Sequence, residues 1–183
     1  MTKKLITIFT VVLLLSCGGD FNTTVYKTAS GEFASKQGNF VAAFPTEPKY
    51  SAIDNQLGLD KFQVHLFTST LGPNKRFTVE YIDLPEHLIA SMSDEQYFDQ
   101  GVANFATKMS ESFNFENQEP IEQHGLTGRY FVLRLNQGTQ DKGVKGYIEG
   151  KLFKDGNRVY TVTYLGHLDL NTDAFMKSFR LLE

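Results

Sequence analysis

The chain predicts an α+β fold, a mainly antiparallel β-sheet flanked by helices, and three observations carry that expectation. Segments on both sides of residues 93–109 alternate apolar and polar residues with the two-residue period of a strand. The stretch 93–109 keeps helical spacing instead. Turn chemistry then separates neighbouring strands where antiparallel pairing needs it, and the order strands, helix, strands, helix argues against βαβ repetition. Aromatic residues are plentiful, 16 Phe and 8 Tyr with no Trp, a mix suited to a sheet with a thick aromatic face.

Within the segment 33–44, the run Asn39-Phe40-Val41-Ala42-Ala43-Phe44 is a short strand that Pro45 stops, because proline has no N–H to donate to a ladder. Glu47 to Ile53 is a weakly patterned next strand. Asp60 to Thr70 is stronger: Phe62, Val64, Leu66 and Thr68 fall on one face, with Gln63, His65 and Phe67 on the other. Gly72-Pro73-Asn74 turns the chain, and Phe77, Val79 and Tyr81 alternate again before Leu84-Pro85, so these two segments pair as a hairpin. Ser93, with Gln96 three residues on, forms a capping box for a helix whose Phe98, Val102, Phe105 and Met109 make one stripe, widened by Tyr97, Gly101 and Ala106. Such a stripe covers a sheet, and Gly101, a poor helix former, points to close packing against it.

Alternation returns after Gly125 in the run Thr127 to Leu135, where Tyr130, Val132 and Leu133 are the apolar candidates, and residues 136–143 form a loop. Gly146 to Phe153, the turn Lys154-Asp155-Gly156-Asn157, and Arg158 to Leu165 make the clearest hairpin, since Gly and Asn tolerate the positive φ of tight turns. Asn171-Thr172-Asp173 caps a C-terminal helix with Phe175 and Phe179 four apart on one face.

The N-terminus carries a different message. Lys3 and Lys4 precede the apolar run Leu5 to Leu15, which matches an export signal and falls short of the roughly 20 residues a membrane-spanning helix needs. Leu14-Leu15-Ser16-Cys17-Gly18 follows at once and resembles the bacterial lipobox. That resemblance implies cleavage before Cys17 and a diacylglycerol thioether on its sulfur. Cys17 is the one cysteine, so no intrachain disulfide is available to it, and acylation accounts for an otherwise unpaired thiol in an oxidising compartment. Two or three acyl chains hold a protein firmly at a bilayer. In lipoproteins of enteric bacteria an aspartate after the cysteine signals inner-membrane retention; here Gly18 stands there, which points to the outer membrane of a cell that has one. The expected organisation is a signal peptide over 1–16, a lipidated tether over 17–31 and one domain over 32–183, close to the commonest domain size. Loss of Lys3 and Lys4 with the signal leaves 16 basic against 21 acidic residues, a net charge of −5 that argues against nucleic-acid binding.

A second likeness covers most of residues 33–183. Phe40-Val41-Ala42-Ala43-Phe44-Pro45, then Arg158-Val159-Tyr160, then Phe175-Met176-Lys177-Ser178-Phe179-Arg180 resemble the PsbP-like group, in which an F-x-x-x-F-P strand opens the domain and R-x-Y and F-x-x-S-F-R elements close it. The resemblance implies an α/β/α sandwich, an antiparallel sheet between helices. The group contains photosystem II subunits that assist manganese and calcium retention as well as bacterial secreted proteins, so it implies no shared biochemical role.

Catalytic and metal-binding patterns do not stand out. His65, His87, His124 and His167 are widely spaced; a metal site would need distant residues such as His65, Glu80 and His167 to meet in space. No serine occupies a nucleophile elbow, and Ser178, between Phe175 and Phe179, reads as a packing or capping residue. The loop Gly138 to Gly143 lacks the phosphate-loop pattern, Asp141, Asp155 and Asn157 serve turns, and Asp94, Glu95 and Asp99 favour the positive end of a helix. No cofactor or metal is expected. Lys36, Lys61, Lys75, Arg76, Arg129 and Arg134, with exposed Phe or Tyr on the outer strands, are the contacts available to a partner. The expected function is noncatalytic: a membrane-anchored domain that binds or stabilises another envelope protein. The alternative is a small apolar ligand held between sheet and helix, with an enzyme third.

Overall fold

The computed structural model describes residues 25–137, 146–167 and 169–182. Eleven strands and three helices follow one another as β1 (Tyr26–Lys27), β2 (Phe33–Ser35), β3 (Phe40–Ala42), β4 (Lys49–Leu57), β5 (Asp60–Thr70), β6 (Arg76–Asp83), α1 (Glu86–Ile89), α2 (Asp94–Met109), β7 (Phe113–Gln123), β8 (Leu126–Leu135), β9 (Tyr147–Asp155), β10 (Arg158–Gly166), α3 (Leu170–Ser178) and β11 (Arg180–Leu181) among the described residues. Seven strands form one antiparallel sheet in the order β4-β5-β6-β10-β9-β8-β7, and β1-β2-β3-β11 form a second, smaller one. The α+β class and the antiparallel sheet are as the sequence implies.

Both faces of the central strands of the large sheet are buried. On one, α2 lays Tyr97, Phe98, Val102, Phe105 and Met109 on Val64, Ile82, Phe131, Leu133, Leu152 and Val159. On the other, Phe40 and Phe44 of the N-terminal segment and Phe175, Met176 and Phe179 near the C-terminus pack on Phe67, Phe77, Val79, Tyr81, Phe153 and Tyr160. The second outer layer is therefore a helix plus a small sheet rather than helices alone. The two-residue period decides which residue goes where: Phe77, Val79 and Tyr81 of β6 face the aromatic layer, while Glu80 and Ile82 face α2.

Two glycines let phenylalanine rings lie flat across neighbouring strands. Phe131 of β8 pairs with Gly150 of β9, and a Cβ on Gly150 would stand 2.1 Å from the Phe131 ring. Gly128 pairs with Phe153 on the opposite face, where a Cβ would meet the Leu152 carbonyl oxygen at 2.2 Å. Each ring fills the space its partner's missing side chain leaves.

The helix α2 starts as the sequence predicts. The Ser93 hydroxyl accepts the Gln96 N–H at 3.3 Å, and the Gln96 side chain accepts the Ser93 N–H in return. The helix α3 starts earlier than predicted, since Asp169 is its N-cap and accepts the N–H groups of Asn171 and Thr172 at 2.9 and 3.0 Å. Asp169 also pairs with Lys75, which ties the helix start to the β5–β6 turn. Phe179 is not on α3; its ψ of 124° has already left the helix, and the ring reaches the core from the β11 side.

Other departures have simple causes. The strand β7 escapes the sequence reading because residues 114–120 are all exposed and show no alternation. In β8 the residues facing α2 are Phe131, Leu133 and Leu135, while Tyr130 and Val132 are half-buried on the other face. The expected tether over 17–31 includes Tyr26–Lys27, which pair with Phe33 and Ala34 as the outer strand of the small sheet. The loop predicted at 136–143 lies largely outside the described residues.

Candidate functional site

The residues behind the PsbP-like resemblance meet in space and hold the two ends of the domain together. Phe40 stacks with Phe179 at 6.0 Å, and Phe44 meets Phe175 at 5.0 Å. The Ser178 hydroxyl accepts the Ala43 N–H at 2.7 Å and donates to the Phe175 carbonyl, which fits the packing and capping role expected of it. Arg180 forks onto both carboxylate oxygens of Glu32 at 2.7 and 2.8 Å, and that guanidinium holds the Glu32 pKa down at about 2. Arg158 grips Asp83 with two bonds of 2.6 Å and donates to the Gln37 carbonyl, while the Tyr160 hydroxyl donates to the Gly38 carbonyl. These groups spend their hydrogen bonds on structure.

The scattered polar candidates also find ordinary partners. His65 stacks on Tyr81 at 4.3 Å and shares a 2.9 Å hydrogen bond with the Tyr50 hydroxyl; burial pulls its pKa down. His87 meets Asp60, His124 meets the Lys177 carbonyl, and Arg134 meets Glu116. Arg129 pairs with Asp99 of α2 at 2.7 Å, and Lys154 with Asp94, so the helix is clamped to the sheet at its rim. His65 and Glu80 lie on opposite faces of the sheet and do not meet. Among the described residues no three His, Cys, Asp or Glu side chains are placed to hold a metal ion. Cys17 and Asp141 lie outside the described residues. No described helix is long and apolar enough to cross a membrane.

Four buried side-chain atoms lack a hydrogen-bond partner among the described residues, on Glu80, Tyr97, Arg129 and Tyr147, and only one of them belongs to an acid. Glu80, in a central strand under α2, is 2 % exposed, and its Oε1 has no hydrogen-bond partner among the described residues. It lines a cleft of about 50 Å³ on the α2 side of the sheet. The strand register builds the floor: Glu80 pairs with Leu66 on one side and Thr161 on the other, and Thr78 pairs with Thr68 and Thr163. Phe105 of α2, Ile148 and Leu165 form apolar walls, and Arg76 stands at the far end of the same strand face. Burial pushes the Glu80 carboxyl up to about 8, and Lys108 pulls weakly the other way. Tyr97, whose buried hydroxyl also lacks a partner among the described residues, lies within electrostatic reach. At neutral pH Glu80 therefore keeps its proton.

By sequence alone Glu80 is a candidate only as a partner for distant histidines, and Arg76 only as a surface cation. The better signal was an acid between Val79 and Tyr81 in a segment whose neighbours all reach the core. That Thr68, Thr78 and Thr163 share one row depends on pairing register, which composition does not reveal.

No protein-family model matches the chain, and no curated protein sequence matches it. The fold is PsbP-like. The solution structure of the cyanobacterial PsbP protein CyanoP from Synechocystis sp. PCC 6803 matches over 92 % of this chain and 99 % of its own, with a TM-score of 0.52 and 12 % identity. At that identity the likeness concerns architecture, and it carries the sequence-based expectation of a PsbP-like domain.

Proposed function

We propose that this protein is an exported lipoprotein, anchored through acylated Cys17, whose PsbP-like domain binds and stabilises another protein of the cell envelope without catalysing a reaction. The observation that carries the docking half of this reading is β7. It is an 11-residue edge strand, paired to β8 on one side only, with Asn114 to Pro120 exposed throughout. An edge of this kind offers free backbone donors and acceptors to an incoming strand. Pro120 and the irregular register between Phe115 and Asn117 interrupt it, which discourages indiscriminate pairing and leaves Phe115, 48 % exposed, as a side-chain anchor. The leader and the LLSCG sequence support the anchoring half, and Gly18 after the cysteine supports delivery to an outer membrane. The space between sheet and helix, small and floored by Glu80 and threonines, suits a wholly apolar ligand poorly.

The test is crosslinking in the intact envelope from a photoreactive residue at position 115, followed by mass spectrometry. One stoichiometric envelope partner is expected, lost when the crosslinker moves to exposed Leu59 at the far hairpin. Recovery of no partner from either position contradicts the docking reading. Anchoring is checked by Cys17→Ser, which should leave an unprocessed precursor; unchanged maturation and membrane association contradict it.

A further inference from the structure

The cleft beside α2 has a chemistry that the docking reading does not use. Its deep end is an acid with an unpartnered oxygen, its middle is a row of hydroxyls between aliphatic and aromatic walls, and its other end is a guanidinium. Arg76 makes no ion pair among the described residues, in contrast to Arg129, Arg134, Arg158 and Arg180. The titratable groups facing Glu80 from α2 are Tyr97 and Lys108; β5, β9 and β10 contribute only apolar side chains and threonines to the cleft.

We infer that this cleft binds a small zwitterion, a short amino acid whose ammonium meets Glu80 and whose carboxylate meets Arg76. A buried carboxyl oxygen without a partner is costly to the folded state, and an arriving N–H donor removes that cost. The hydroxyls of Thr68, Thr78, Thr161 and Thr163 donate or accept as the ligand requires, and Leu66, Phe105 and Leu165 cover a few methylenes. At roughly 10–15 Å³ per water-sized group, a cleft of about 50 Å³ holds about three to five such groups, enough for the middle of a short chain and not for a metabolite with rings. Glu80 and Arg76 are four residues apart on one strand, roughly 13 Å between Cα atoms, so the spacing of the ligand's charges decides its affinity. The ammonium stabilises the Glu80 carboxylate, so Glu80 hands its proton to solvent as the ligand binds.

The experiment is titration calorimetry on the full-length protein in detergent at pH 7, in two buffers of different ionisation enthalpy. Glycine, β-alanine, 4-aminobutanoate and 6-aminohexanoate vary the charge spacing, and butylamine and butyrate each supply one charge. One amino acid of the series is expected to bind at least tenfold more tightly than butylamine and butyrate, with release of a proton. Glu80→Gln should weaken it at least tenfold and abolish the proton release; Arg76→Gln should weaken it comparably and leave the release intact. No binding by any of the four, equal binding of either one-charge control, or unchanged affinity in folded Glu80→Gln overturns the inference. Partner crosslinking through β7 is unaffected by any of these outcomes.

Discussion

The two faces of the large sheet are closed by different means. On one side the segment 40–44 meets the segment 175–179: Phe40, Phe153 and Tyr160 surround Phe179, and Phe44 and Phe77 surround Phe175, with ring centroids 5.0 to 6.0 Å apart. On the other side one helix, clamped at its rim by Arg129–Asp99 and Lys154–Asp94, covers a largely aliphatic surface and leaves a Glu80 oxygen buried without a hydrogen-bond partner among the described residues. The aromatic face contains the residues behind the PsbP-like resemblance. The helix face contains an acid that stability does not explain. The sequence motifs behind the likeness thus fall on the aromatic face, while the structural match itself spans 92 % of the chain and both faces.

Mutations can break this contrast. The largest effect is expected for Phe179→Ala, which removes a ring packed on three others; denaturation should show a loss of about 3–5 kcal/mol. Glu80→Gln should do the reverse, adding about 2–4 kcal/mol at pH 8, because the amide matches the protonated carboxyl in size and carries no burial penalty for charge. Gly150→Ala should cost about 1–3 kcal/mol, since its Cβ would intrude on the Phe131 ring. Arg180→Met should cost about 1 kcal/mol at pH 7, the scale of a well-formed forked pair that is partly exposed.

The pH dependence sharpens the same comparison, because Glu32 and Glu80 shift in opposite directions. Arg180 lowers Glu32 from 4.5 to about 2, so its contribution is fully present above pH 4.5 and is lost as pH falls toward 2. Burial raises Glu80 from 4.5 to about 8, so the folded state is favoured below pH 4.5 and loses ground as pH rises toward 8. Thermal unfolding across pH 2–9 should therefore show an acid limb that Arg180→Met flattens and a falling limb above pH 4.5 that Glu80→Gln flattens. Glu80→Gln should leave stability at pH 4 unchanged.

Legibility in the sequence follows periodicity. The β5–β6 and β9–β10 hairpins and the Ser93–Gln96 box were readable because their signals are local: strict alternation, Asp155-Gly156, and a cap with its reciprocal partner. The strand β7 was not, since a strand exposed on both faces has no apolar side to alternate with a polar one. The two- and three-residue strands β1, β2 and β11 are too short for any period to register. The start of α3 was misplaced because Asp169 caps it while Leu170, 88 % exposed, sits inside the first turn. Of the cleft, the acid was visible, but neither its depth nor its threonine row was, because both depend on which strands lie side by side.

The contrast between the faces comes down to whether Glu80 holds its proton at neutral pH. Carbon-13 NMR of the Glu80 carboxyl, assigned by comparison with Glu80→Gln and followed from pH 3 to 10, measures this directly. A midpoint near 8 is expected for an acid buried without a partner, whereas a midpoint near the ordinary 4.5 would mean that water or a counter-charge reaches it, and the helix face would then hold no unspent group.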